Sequence, residues 1–241
     1  TAYEIGVRLV GSEMCIRDSD FHINPEEIES KYFGVLTKMF NIARLASQFE
    51  VPKSLDSSPN DLAFEDLWIL SEFDEMMQSV RNSWEKMDIY SATQSIKAFS
   101  TGIFPGHWLE MSKSRLYDGD DSAAWTLHRV VRDLLSAMSP ICPFFCHYLS
   151  STLYGSSAVD VHSFPRLPEL MEPEDATYMR SLTPIISEFN SEVWKAKKDS
   201  GLSLKSPISG ISIPSELSEL RESLVRMHSI CLLYTSDAAD E

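Results

Sequence analysis

Phe64-Glu65-Asp66-Leu67-Trp68-Ile69-Leu70-Ser71-Glu72-Phe73-Asp74-Glu75-Met76-Met77-Gln78-Ser79-Val80-Arg81-Asn82-Ser83-Trp84-Glu85-Lys86-Met87 is the stretch that decides the fold. Leu67, Leu70, Phe73, Met77, Val80, Trp84 and Met87 follow one another at intervals of three or four residues. That interval gathers them on one side of an α-helix, whereas a half-buried strand would alternate. So long a helix with one apolar face needs other helices to cover it.

The same period continues on both sides. Asn24-Pro25-Glu26-Glu27 supplies a cap residue, a proline for the first helical position and acids for the first turn. Phe33, Leu36, Met39 or Phe40, Ala43, Ala46 and Phe49 then recur at helical spacing. Residues Pro52 to Asn60 form a loop, Ile89 to Phe99 a third helix, and Gly102 and Pro105 break the chain before a fourth centred on Trp108 to Leu116. Asp118 to Ser122 turns into a fifth helix carrying Ala124, Leu127, Val130 or Val131, Leu134, Leu135 and Met138, which Pro140 stops. Cys142 to Tyr154 adds a shorter helix that ends at Gly155.

Beyond Gly155 the texture changes. Val159 to Phe164 is extended, and Pro165 to Pro173 is a proline-rich connector. Asp175 to Ser200 is helical, with Pro184 expected to kink or divide it. Leu202 to Ile213 alternates like one or two short strands, and Pro214 opens a last helix to Arg226. The expected fold is mainly α: an antiparallel helix bundle over residues 20–165, followed by a small α+β extension over 166–230.

Residues 1–19 and 231–241 are expected to be non-native, derived from sequencing adaptor. Back-translating Glu13 to Ser19 as GAG ATG TGT ATA AGA GAC AG and reverse-complementing it gives Cys-Leu-Leu-Tyr-Thr-Ser in one frame, which is Cys231 to Ser236. Two ends of a natural gene have no reason to be complementary, whereas two flanks of a tagged fragment do. Setting them aside removes only a small part of the net charge of −15 and leaves two of the four cysteines, Cys142 and Cys146. Two cysteines make no disulfide framework and suit a reducing compartment. No apolar run approaches the roughly 20 residues of a membrane span. A soluble, acidic, cytoplasmic chain with no membrane partner is expected.

Chemistry-bearing patterns are sparse. The sequence has no Gly-rich phosphate loop, no metal-binding His-x-x-Glu helix, no Gly-x-Ser-x-Gly elbow and no paired-cysteine zinc spacing. Cys142-Pro143-Phe144-Phe145-Cys146-His147 places two thiols one helical turn apart, but a tetrahedral zinc would need further ligands, so inert core cysteines are expected. Basic residues recur at helical spacing in three groups: Lys31, Lys38 and Arg44; Lys113, Arg115, Arg129 and Arg132; Lys195, Lys197, Lys198 and Lys205. Such clusters neutralise nucleic-acid phosphates, although a solvated helix face gives the same pattern. The overall acidity argues against strong, sequence-independent affinity for RNA.

The order of the features resembles the anticodon-binding helical domain of class I aminoacyl-tRNA synthetases of the valyl, isoleucyl, leucyl and methionyl group. Lys38-Met39-Phe40-Asn41-Ile42-Ala43-Arg44 is similar to its Lys-Leu-Trp-Asn-x-x-Arg helix, and Asp66-Leu67-Trp68-Ile69-Leu70 to its Asp-x-Trp-Ile-Leu opening. Trp108-Leu109-Glu110 with Lys113-Ser114-Arg115 looks like the valyl-type Tyr-x-Glu-x-x-Lys-x-Arg segment. Ser139 to Phe144 and Val161 to Pro165 resemble the Pro-x-x-Pro-Phe and Ser-Val-His-x-x-Trp-Pro pair. Gly201-Leu202-Ser203-Leu204-Lys205 is similar to the valyl-type Gly-x-Ser-Leu-Lys. Met111-Ser112-Lys113-Ser114 looks like the family's ATP-binding Lys-Met-Ser-Lys-Ser loop, but Glu110 replaces the leading lysine and the run lies in a helical pattern.

The resemblance implies a tRNA-binding piece of a ligase whose parent attaches an amino acid to tRNA using ATP and magnesium. The fragment itself would be inactive, hold no cofactor and have no catalytic or metal-ligating residue. Its partners would be tRNA, the valine tRNA for the valyl type, and the catalytic domain of the same parent chain. Lys38, Asn41, Arg44, Lys113 and Arg115 are the candidate tRNA-binding residues. The isoleucyl type and a helical protein-interaction scaffold remain the alternatives.

Overall fold

A computed structural model describes residues 33–156 and 164–231. The expected helix start at Asn24, the extended stretch before Phe164, and all the adaptor-like residues except Cys231 lie outside these residues. The chain divides into two compact units, residues 1–37 and 38–241. Of the first unit, only the opening turn of helix α1 (Phe33–Ala46) is described, where Thr37 Oγ1 donates to the Phe33 carbonyl at 2.9 Å.

The second unit is the expected helical bundle with a small appendage. In α1, Met39, Ile42, Ala43 and Ala46 are buried at the spacing of one helical face. Helix α2 (Phe64–Glu85) buries Trp68, Ile69, Leu70, Phe73, Met76, Met77 and Val80, a wider face than the periodic set alone. It stops before Met87, which is 71% exposed at a φ of 58°. Helix α3 (Ile89–Ala98) starts at Asp88, whose side chain accepts from the Ser91 amide at 3.0 Å.

The expected break at Gly102 and Pro105 is instead a π-helical segment, Phe99–Trp108, running straight into α4 (Leu109–Tyr117). Pro105 has no amide hydrogen to close an α-helical ring, and the wider i→i+5 winding accommodates it. The winding stacks Phe99 on Phe104, with centroids 5.7 Å apart, and Phe104 on Trp108 at 5.3 Å.

Asp120 caps helix α5 (Asp121–Met138), accepting from the Ala123 amide at 3.0 Å. This helix is buried on nearly all sides, with Leu127, Val130, Val131, Leu134 and Leu135 fully enclosed, so it is the centre of the bundle. Helix α6 (Pro143–Tyr154) ends at Gly155, whose φ of 65° closes it. Helix α7 (Pro173–Asp199) begins at Pro173, not Asp175, and runs through Pro184 undivided. Just before that proline, Thr183 accepts from the Trp68 indole at 2.9 Å, tying α7 to α2.

The appendage has less strand than the alternation of residues 202–213 predicts. Only β1 (Ile208–Ser209) forms, and it pairs in parallel with β2 (Ile230–Cys231), with Ile208 opposite Ile230. Cys231, assigned to the non-native tail by the sequence reading, is the second residue of β2. The expected last helix divides into a 3-10 turn, Ser215–Leu220, and α8 (Arg221–His228). Among the described residues no helix is long and apolar enough to cross a membrane.

Candidate nucleic-acid interface

The buried stripe of α1 sets the phase of its other side. Lys38, Asn41 and Arg44 all fall on exposed positions, a turn and a half of helix from end to end. Lys38 extends its ammonium to the Thr101 carbonyl of the π-helical segment at 2.9 Å, which steadies α1 against that segment. No side-chain partner is recorded for Asn41 or Arg44 among the described residues. Phe40, 42% exposed, lies one turn before Arg44 on the same side.

At the C-terminal end of α1, Phe49 meets the ring of Tyr117 edge-on at 5.3 Å. Tyr117 itself is exposed, and its hydroxyl lies 3.5 Å from Gln48 Oε1. Two cations or polar forks beside exposed aromatic rings are the groups that hold RNA phosphates and stack unpaired bases. Sequence reasoning did not single out Phe40 and Tyr117, which are exposed. Their exposure is the signal, and it is invisible where aromatics are read as core by default.

The other two candidates part company. Lys113 is a surface residue, paired with Glu110 at 2.5 Å. Arg115 is turned inward, with a side chain only 11% exposed. It donates to Asp66 Oδ2 at 2.7 Å and Oδ1 at 3.1 Å, to Asp120 at 2.9 Å, and lies 3.1 Å from Glu65. Trp108 and Ser122 also donate to the Asp66 carboxylate. Burial pushes that carboxyl above the usual range while Arg115 draws it back down. The donors of Arg115, expected from the sequence to face tRNA, are thus engaged within the fold by the carboxylates of Asp66, Asp120 and Glu65.

Of the remaining basic groups, Lys195, Lys198 and Lys205 are exposed, whereas Arg129, Arg132 and Lys197 are engaged within the fold. Arg129 donates to Asp133 at 2.7 Å and to the carbonyls of Leu55 and Arg166 at 2.7 and 2.6 Å. Arg132 joins Asp133 and Asp56. Lys197 is wholly buried, its ammonium on the carbonyls of Leu204 and His228 at 2.6 and 2.7 Å.

Met111 to Ser114 does not fit a nucleotide loop. It lies within α4, with Met111 and Ser112 buried. No group of three or more His, Cys, Asp or Glu side chains suited to a metal exists among the described residues. Cys142 and Cys146 have their sulfurs 3.7 Å apart, at the start of α6.

The sequence matches the family model described as the anticodon-binding domain of tRNA ligase, over residues 66–212. It is similar to the valine–tRNA ligase of Aeropyrum pernix, 31% identical over 85% of this chain and 26% of that protein. It is also similar to the valine–tRNA ligases of Saccharolobus solfataricus, at 30% over 73% of this chain and 20% of that protein, and of Nanoarchaeum equitans, at 27% over 88% and 26%. The chain thus spans about a quarter of the length of these curated relatives.

Proposed function

Because this chain belongs to the family of anticodon-binding domains of tRNA ligases, we propose that it is the part of a valine–tRNA ligase that grips the anticodon arm of the valine tRNA. The observation that carries the proposal is the α1 face, where Lys38, Asn41 and Arg44 stand exposed in one row beside Phe40. Arg44 offers a planar fork for a phosphate or base edge, Asn41 an amide for base readout, and Lys38 a point charge for the backbone. Phe40 and Tyr117 supply ring faces for unstacked bases. That the similar proteins are valine–tRNA ligases supports valine as the amino acid.

The parent would join valine to its tRNA with ATP and magnesium, in the cytoplasm, through a catalytic domain elsewhere in the same protein. The family match of this chain is to the anticodon-binding domain, over residues 66–212. Valine-dependent pyrophosphate exchange by this chain alone is therefore expected to stay at background. Exchange above background that disappears in Lys113→Ala would revive the run at Met111 to Ser114 as a catalytic loop.

Filter binding of valine and isoleucine tRNA transcripts at two salt concentrations tests the site. Arg44→Ala is expected to weaken binding of the valine transcript about tenfold or more, as loss of a charge-assisted contact worth roughly 1.5–3 kcal/mol would. Lys38→Ala should weaken both transcripts alike and flatten the salt dependence by about one unit. Glu110→Ala, outside the face, serves as the control. Equal affinity for both transcripts, unchanged by Arg44→Ala, would leave a helical protein-interaction scaffold as the better reading.

A further inference from the structure

The proposed RNA face leaves one chemically distinctive pair without a role. Cys142 and Cys146 lie at the corner between α5 and α6, with Sγ atoms 3.7 Å apart. We propose that this pair is a reversible oxidation site, where hydrogen peroxide or a small hydroperoxide converts the two thiols into an intramolecular disulfide.

The geometry makes the two sulfurs unequal. Cys142 is half-buried and is the N-cap of α6, at φ −134° and ψ 68°, outside the helical region. Cys146, one turn further on, is fully buried. The Cys146 amide already donates to the Cys142 carbonyl at 3.1 Å. Helical rise puts their Cα atoms about 6 Å apart, inside the roughly 4.4–6.8 Å that disulfides span. Closing the sulfurs from 3.7 Å to the roughly 2.05 Å of a disulfide requires side-chain rotation.

The electrostatics run the same way. A hydrogen bond from Cys146 lowers the Cys142 thiol below its ordinary range, and the start of α6 favours negative charge there. The same bond, with burial, pushes Cys146 upward and keeps it protonated. Cys142 is thus the attacking sulfur and Cys146 the resolving one. The Cys142 thiolate attacks one peroxide oxygen and breaks the O–O bond. The departing hydroxide takes up a proton, which leaves a sulfenic acid on Cys142. Cys146 Sγ then displaces hydroxide from that sulfur, and the Cys146 proton converts it to water. One peroxide is reduced to two waters while two thiols become one disulfide.

So short a closed loop restrains the unfolded chain little, so the bond's consequence is chemical and not stabilising. A structural zinc is not the competing role, since no third ligand joins the pair among the described residues.

The test uses the whole reduced chain, treated with hydrogen peroxide at neutral pH, alkylated and mapped by mass spectrometry. Cys142 and Cys146 fall on one tryptic peptide, and exposed Cys231 is an internal reference thiol. The expected product is an unalkylated peptide lighter by two hydrogens, formed several-fold faster than Cys231 is oxidised and reversed by dithiothreitol. In Cys146→Ser the reaction should stop at a sulfenic acid on Cys142, trapped by dimedone. In Cys142→Ser, Cys146 should stay reduced at the same dose. Circular dichroism checks that both variants keep their helices, and the unsubstituted chain gives its result without them. Full alkylation of both thiols after Cys231 has been oxidised would overturn the proposal. So would a disulfide joining Cys142 to another chain, or the absence of a dimedone adduct in a folded Cys146→Ser.

Discussion

Arg115 and Lys113 are two residues apart on one helix and carry the same charge, yet their substitution should have very different effects. Arg115→Ala would leave the fully buried Asp66 carboxylate without its cation, and breaking a buried pair in this way costs roughly 3–5 kcal/mol. Lys113→Ala removes only an exposed pair with Glu110 and should change stability by less than about 0.5–1 kcal/mol. Urea unfolding of the two variants measures this, and equal midpoints would refute the structural role of Arg115. The contrast also shows what a sequence can reveal about a single side chain. The apolar residues of α1 have one clear phase, so Lys38, Asn41 and Arg44 were legible as a solvent face. In α4 the buried set is Leu109, Met111, Ser112 and Leu116, whose phase is blurred by a serine. Nothing local says that Arg115 points toward a carboxylate 49 residues earlier in the chain.

Caps and windings decide how each helix begins and continues. Asp88→Ala removes the side-chain acceptor at the start of α3 and should destabilise the protein by about 1 kcal/mol, read from thermal unfolding. Asp120→Ala should be worse, because the same carboxylate both caps α5 and receives Arg115. An unchanged melting temperature in Asp120→Ala would contradict the capping role. Helix existence was legible along nearly the whole described chain, since each segment carries its own apolar period. Windings were not. Gly102 and Pro105 look like a stop, and only the stacking of Phe99, Phe104 and Trp108 shows why the chain keeps turning through them. Pro184 likewise resembles a division, but α7 is held on α2 by Thr183 and Trp68 just ahead of it. The short strands were over-read because alternation over residues 202–213 does not track burial, Leu202 and Leu204 being exposed, and pairing at Ile208 depends on a distant partner at Ile230.

The appendage and the bundle meet through a chain of polar contacts with a pH signature. His107 Nδ1 lies 2.7 Å from Asn190, and Asn190 Oδ1 lies 2.6 Å from His228 Nε2. Burial first, then the charges of Lys197 and His107, push His228 from 6.5 down to about 4. Between those values the unfolded chain binds a proton that the folded chain refuses. Stability is therefore complete above about pH 6.5 and falls as the pH drops toward 4, by on the order of 3 kcal/mol. Burial lowers His107 and His128 in the same direction. Thermal unfolding across this range should show a smaller slope in His228→Gln, which keeps a donor for Asn190 but cannot titrate. An identical slope would show that His228 does not govern it. The parallel pair of β1 with β2 sets the order of events in time. Parallel neighbours cannot be closed by a tight turn, and residues 210–229 must first wind through the 3-10 turn and α8. A growing chain that has just made Ile208 has no partner for it, and the Lys197 ammonium still lacks the His228 carbonyl. Closure waits for the last strand to arrive, so on refolding the Ile208 amide, which donates to the Ser229 carbonyl, should be among the last to resist exchange in pulse labelling.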